Sequence, residues 1–155
     1  MRTIIMLFSI LITSINIYPQ SKTIESGLYL VLSKDSCTLN TNNIKIGYSS
    51  DTLCIKQKPE ITIGDIAFCN TATENIDGNE IYVLNIALKS TAKIKLKEIT
   101  EKNIGKRIAF IIDKEVIMAA VIRDPITNGR LTVGGAKAKE INSWAGKLQE
   151  AIWKK

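Results

Sequence analysis

A chain of 155 residues has room for one domain core and a leader, and a second core does not fit. Histidine is absent, which excludes Ser-His-Asp and Cys-His nucleophiles and every histidine-ligated metal site. The net charge of +6 comes from lysines spread along the chain, with arginine only at Arg2, Arg107, Arg123 and Arg130; a nucleic-acid partner calls for a concentrated basic stripe interleaved with aromatics, and none is present.

The N-terminus, Met1-Arg2-Thr3, leads into an apolar run from Ile4 to Ile17 and then Tyr18-Pro19-Gln20-Ser21. A charged start, about a dozen apolar residues and a polar exit predict a secretory signal peptide over residues 1–21, since a membrane span needs about 20 apolar residues. The chain is therefore expected outside the cytosol, periplasmic or secreted, and peripheral to a membrane at most. A retained short anchor is the alternative. In such an oxidising compartment the odd set Cys37, Cys54 and Cys69 divides by context. Cys37 and Cys54 lie in a polar segment and form a candidate disulfide, with free thiols as the other reading. Cys69, in the run Ile66-Ala67-Phe68-Cys69, reads as a small buried hydrophobe.

Residues 22–58 read as an N-terminal strand-and-loop segment, with strands near Gly27 to Ser33 and Ile44 to Ser50. Pro59 is expected to break any ladder it meets. Residues 59–155 then read as the main domain. Strands are predicted over Asp65 to Ala72 and Glu80 to Lys89, joined through the turn dipeptide Asp77-Gly78. Ser90 offers an N-cap for a helix from about Thr91 to Asn103, whose inward stripe is Ala92, Leu96 and Ile99.

Two β-branched runs follow, Ile108 to Ile112 and Val116 to Ile122, separated by Asp113-Lys114-Glu115 in the manner of a hairpin. Asn103-Ile104-Gly105 suits a helix terminus with Gly105 at positive φ. The C-terminal helix is the cleanest periodic signal. Ala138, Ile141, Ala145, Leu148 and Ile152 step by three and four, with Trp144 and Trp153 flanking. Strands outnumber helices and sequence neighbours can pair directly, which predicts an α+β fold: an antiparallel β-sheet with two α-helices packed on one face.

Catalytic signals are missing. There is no C-x-x-C pair, the glycines Gly129, Gly134 and Gly135 fit neither a phosphate loop nor a dinucleotide fingerprint, and no serine sits on a nucleophile elbow. Asp113 and Asp124 stand where turn chemistry favours a carboxylate. The chain is accordingly read as a non-enzyme with no cofactor and no metal. What remains is recognition: the loop Arg123, Asp124, Pro125, Ile126, Thr127, Asn128, Gly129, Arg130 combines a proline, an Asn-Gly turn and two arginines on a rigid sheet, a good place for partner contacts. The neighbouring strand Ile117 to Val121 could also offer an edge to an extended peptide.

Glu98-Ile99-Thr100, Asn103-Ile104-Gly105-Lys106, Ile108 to Asp113, Val116-Ile117, Val121-Ile122, Pro125-Ile126, Gly129 and Val133-Gly134-Gly135 follow one another in an order and spacing that resemble the first periplasmic head domain of the SecD/SecDF protein-export family. Lys114 stands where that family usually has Asp-Gly, Ala120 where it has Pro, and Leu96 where it has Phe. The resemblance implies a binding and moving part that meets polypeptide emerging from the translocation channel. Its expected partners are unfolded or extended polypeptide and translocon components. The family's proton pathway belongs to a separate multi-helix membrane part, so a similar function here is expected to be passive binding or to require a partner. A small secreted structural or inhibitory protein using the same fold as a scaffold is the alternative expectation.

Overall fold

Five consecutive residues, Ile108 to Ile112, are all buried, so the strand that carries them must be covered on both faces. The computed structural model describes residues 23–40 and 43–154; the leader expected over residues 1–21 lies outside them. In chain order the elements are β1 (Gly27–Leu32), α1 (Ser36–Leu39), β2 (Ile44–Tyr48), β3 (Asp51–Ile55), β4 (Ile61–Thr62), a 3₁₀ turn (Ile63–Asp65), β5 (Ile66–Ile76), β6 (Asn79–Leu88), α2 (Ser90–Glu101), β7 (Arg107–Ile112), β8 (Glu115–Val121), β9 (Arg130–Gly134) and α3 (Ala138–Trp153). The α+β class is as expected. The strands divide into two antiparallel sheets where the sequence suggested one: a larger sheet ordered β2-β3-β1-β7-β8, with β4 beside β1, and a three-stranded sheet ordered β5-β6-β9.

Two hydrophobic cores within one domain, where the length was expected to allow one, explain the uninterrupted burial of β7. Ile108, Phe110 and Ile112 point into the main core, together with Leu28, Ile61, Leu84, Ile86, Leu96, Ile141 and Leu148. Ala109 and Ile111 point the other way, into a smaller core with Tyr29, Ile44, Ile46, Leu53 and Ile55. Each fully buried large apolar side chain contributes roughly 1.5–3 kcal/mol, so the period-two alternation along β1 and β7 stabilises both layers at once. Pro59 occupies the connection between β3 and β4, both of which pair with β1, at Val31↔Ile55 and Leu28↔Ile61 respectively. Gly27 is confined there: a Cβ on it would lie 2.4 Å from the Ile61 carbonyl oxygen and 2.7 Å from Pro59 Cβ.

The helices differ from the sequence reading in detail. Ser90 is the first helical residue of α2 and Lys89 takes the N-cap position, so Ser90 does not cap the helix. The buried stripe is Ala92, Leu96 and Thr100; Ile99 is half-buried at the margin of the main core. On α3, Ile141, Trp144, Ala145 and Leu148 are buried, whereas Trp153 is 84% exposed. Trp144 follows Ile141 by three positions, which places it on the inward stripe. The turn between β7 and β8 has Asp113 at φ 47° and Lys114 at φ 69°, so the loop is two residues long and both take the left-handed conformation. For a residue with a Cβ this costs roughly 1–2 kcal/mol. Part of the compensation is visible, because the Asp113 N–H donates to Ser26 Oγ at 2.9 Å and its carboxylate meets Lys147 Nζ of α3 at 3.4 Å.

Cys37 and Cys54 form a disulfide that ties α1 to β3, with the sulfurs 2.11 Å apart. Cys69 is a free, buried thiol, and burial raises its pKa above the ordinary thiol value. Among the described residues no helix is long and apolar enough to cross a membrane.

Candidate functional site

The loop from Arg123 to Arg130 is shaped by bonds to three elements. Where it leaves β8, the Ile122 N–H donates to the Lys106 carbonyl at 2.8 Å and the Gly105 N–H donates to the Ile122 carbonyl at 2.8 Å. In its middle, the Ile126 N–H donates to Thr100 Oγ1 at 2.9 Å. That hydroxyl is fully buried and itself donates to the Leu96 carbonyl one turn back along α2, at 2.8 Å. At its end, the Gly129 carbonyl accepts from the Leu88 N–H at 2.9 Å, and the Arg130 N–H donates to Asn128 Oδ1 at 2.9 Å.

Gly129 takes φ 66°, and a Cβ there would come within 2.9 Å of Lys93 Cβ. The loop therefore lies tight against α2. Pro125 and Ile126 are half-buried, with Ile126 against the main core, and Gly129 is buried; Arg123, Asp124, Asn128 and Arg130 are exposed.

The end of this loop joins a concave surface. Asn128 and Arg130 line a shallow groove of about 460 Å³ on the three-stranded sheet. Its walls and floor follow from strand register. Phe68 is opposite Ala87, which is opposite Arg130; Asn70 is opposite Asn85, which is opposite Thr132. On the other face of the same strands Cys69, Leu84, Ile86, Leu131 and Val133 enter the main core. The face carrying Phe68, Asn70 and Thr132 is left exposed, with Phe68 at 53%.

The floor is neutral and rich in amides. Thr132 Oγ1 donates to Asn85 Oδ1 at 2.8 Å, which leaves the Asn85 amide nitrogen to donate outward. Glu74 and Arg130 supply one charge of each sign. Such a surface can hydrogen-bond a neutral chain of amides and stack an apolar group on Phe68.

Sequence reasoning reached Asn128 and Arg130 but missed Phe68, Asn70, Asn85 and Thr132. The available signal was alternation: in Phe68-Cys69-Asn70 the middle residue goes to the core and its two neighbours to the open face. Nothing in the sequence pairs Asn70 with Asn85 and Thr132 before the registers are known. Arg123 and Asp124 are not among the residues that line the groove. At the Ile117 to Val121 strand, β8 is the edge of the larger sheet, with Ile117 buried and Val121 exposed.

A second concavity, of about 440 Å³, lies beside the disulfide and includes Lys34, Lys45 and Asp51. Asp51 is engaged structurally. Its carboxylate is held below the usual range first by the Thr52 N–H, then by Arg107 at 3.0 Å and by Lys34. Among the described residues no group of three or more His, Cys, Asp or Glu side chains is placed to hold a metal ion.

The fold has counterparts among solved structures. One, described as the structure and function of a membrane component SecDF that enhances protein export, superposes with a TM-score of 0.59 over 79% of this chain and 60% of that one, at 21% identity. Another, SecDF in a super-membrane-facing form, gives 0.60 over 79% of this chain and 18% of that one. In sequence, the protein translocase subunit SecD of Thermobaculum terrenum is 36% identical over 85 residues, and that of Aquifex aeolicus 34% over 91. Those stretches are 55% and 59% of this chain but only 16% and 18% of the relatives, so the chain matches a small part of a longer protein. The family described as the SecDF P1 head subdomain matches residues 40–151. Carried by that match across well over half its length, the chain belongs to the SecDF P1 head subdomain family.

Proposed function

We propose that this protein serves protein export as an extracytoplasmic head module that binds unfolded or extended polypeptide and does no chemistry on it. The single observation that carries the reading is the open face of the three-stranded sheet, where an amide floor, an exposed Phe68 and the loop residues Asn128 and Arg130 share one groove. A neutral, amide-lined surface with one aromatic suits a peptide chain, whose repeating groups are amides and whose side chains vary. Family membership supports the same reading, since the relatives are translocase subunits. Translocon components are the proposed neighbours, and delivery by a cleaved leader over residues 1–21 is the proposed route.

The test is a titration of the protein, lacking residues 1–21, into fluorescein-labelled, reduced and carboxymethylated α-lactalbumin, followed by anisotropy. Saturable binding at micromolar concentration is expected, with the labelled chain recovered at unchanged mass. A flat titration up to several hundred micromolar overturns the reading.

A further inference from the structure

We infer that the outer edge of β5 is a docking edge to which an extended polypeptide adds as a fourth strand of the β5-β6-β9 sheet. The inference rests on the polypeptide-binding reading above and specifies where and how the chain is held.

The hydrogen-bond register shows which backbone groups are open. Asp77 and Gly78, at φ 52° and 83°, form a two-residue turn that closes on the pair Ile76↔Asn79. In such a hairpin the closing pair exchanges both of its backbone bonds, and bonded pairs then alternate with non-bonded ones. Stepping back from Ile76, the residues bonded to β6 are Glu74, Ala72 and Asn70, opposite Ile81, Val83 and Asn85. The N–H and C=O groups of Cys69, Thr71, Thr73 and Asn75 therefore point to the other side of β5. Among the described residues no strand pairs there, because β5 is the terminal strand of its sheet.

A side chain shows what that edge accepts. Gln149 of α3 directs its Nε2 at the Cys69 carbonyl, at 3.5 Å, where the N–H of a neighbouring strand would lie. The amide of Gln149 meets the edge at Cys69, and the groups of Thr71, Thr73 and Asn75 continue the row. Repeating donors and acceptors along an extended edge are matched by another extended backbone and by little else. The edge also lacks the usual protection: β5 contains no lysine and no proline, and Glu74 is its only charge. The flank of α3 on the Gln149 side is uncharged as well. Asn142, Gly146 and Trp153 stand at helical spacings of seven, three and four from Gln149. Trp153, at 84% exposure, provides an apolar surface at the end of that row.

Beyond Val83, which pairs with Gly134 at the end of β9, the hairpin from Thr73 to Tyr82 projects as two strands alone. Exposed Ile76 and Tyr82, each 48% accessible, give it apolar contacts for an added strand.

The experiment is residue-resolved amide hydrogen exchange on the protein lacking residues 1–21, with and without reduced, carboxymethylated α-lactalbumin, together with binding by the variant Thr73→Pro. The Thr73 N–H is not used in the ladder to β6, so proline at that edge position removes a docking donor and no internal bond. Expected are at least tenfold slower exchange at Thr71, Thr73 and Asn75 when the probe is bound, and about tenfold weaker binding by a Thr73→Pro protein whose melting temperature is close to the parent's. If the parent binds the probe while those three amides exchange as before, or if folded Thr73→Pro binds equally well, the docking edge is wrong and the polypeptide-binding reading survives. Absence of binding by the parent removes both. Protection of the three amides that grows with protein concentration without the probe assigns the edge to a second copy and overturns the inference. Should Thr73→Pro fail to fold, the exchange data on the parent decide alone.

Discussion

Thr100 shows how much one side chain can organise. A threonine in the last turn of a helix is an ordinary surface residue by type, yet this hydroxyl is fully buried, donates to Leu96 and accepts the Ile126 N–H from the loop that ends at the groove. Thr100→Val keeps the shape and leaves the Ile126 N–H without a partner, which should cost about 1–3 kcal/mol. Thr100→Ser, which keeps the hydroxyl, should cost less, and chemical denaturation midpoints of the two variants check the order. The second organising residue is Tyr29, whose hydroxyl donates to the Glu25 carbonyl at 2.6 Å. Burial, assisted by the nearby Glu25 charge, pushes its pKa up to about 12. Between pH 10 and 12 the unfolded chain has lost a proton that the folded chain still holds, so stability falls as the pH rises through that window. The loss attributable to Tyr29 is about 2 kcal/mol. Below pH 10 the contribution is fully present. Tyr29→Phe should show a shallower fall over the same range, and equal slopes for the two proteins would contradict the assignment.

At the scale of elements, the parts read correctly from sequence are those whose pattern is sufficient by itself. The alternation in Ile108 to Ile112 and the three-four stepping of Ile141, Ala145 and Leu148 each name their own buried face. The Asp77-Gly78 turn was equally local. The groove was not legible, because Phe68, Asn70, Asn85 and Thr132 become neighbours only through two strand registers. Nor was the division into two sheets, which depends on β1 pairing with β7 across some eighty residues while β5 and β6 pair with each other. The i, i+4, i+7 stripe of Ala92, Leu96 and Ile99 ends one residue off, since position 100, at i+4 from Leu96, is the buried one and Ile99 lies at the margin of the core.

The Cys37–Cys54 bridge belongs to this scale too, since it fastens the short α1, which has no buried residue of its own, to β3. Closing a loop of that length stabilises by about 3 kcal/mol in the chain-entropy view. Replacing both cysteines by serine should lower stability by about that amount. Alkylation without reductant, read by mass, should label neither Cys37 nor Cys54 in the parent protein.

Taken as a whole, the molecule places two helices and two sheets around one main core and leaves one sheet face and one strand edge open. The helices and the larger sheet meet the inner faces of β5, β6 and β9, and their outer faces carry the amides, the aromatic and the hairpin projection. The proposed polypeptide binding suits such a division: a rigid layer that fixes geometry and an open layer that tolerates many sequences. The net charge of +6 favours approach of acidic segments without specifying them. The most direct measurement of the central claim is site-specific photo-crosslinking. A benzoyl-phenylalanine placed at Phe68, on the open face, is irradiated with an unfolded secreted polypeptide and compared with one at Ile94, exposed on α2. One-to-one adducts from position 68 at several times the yield from position 94 are the expected result, and equal yields from the two positions contradict the claim.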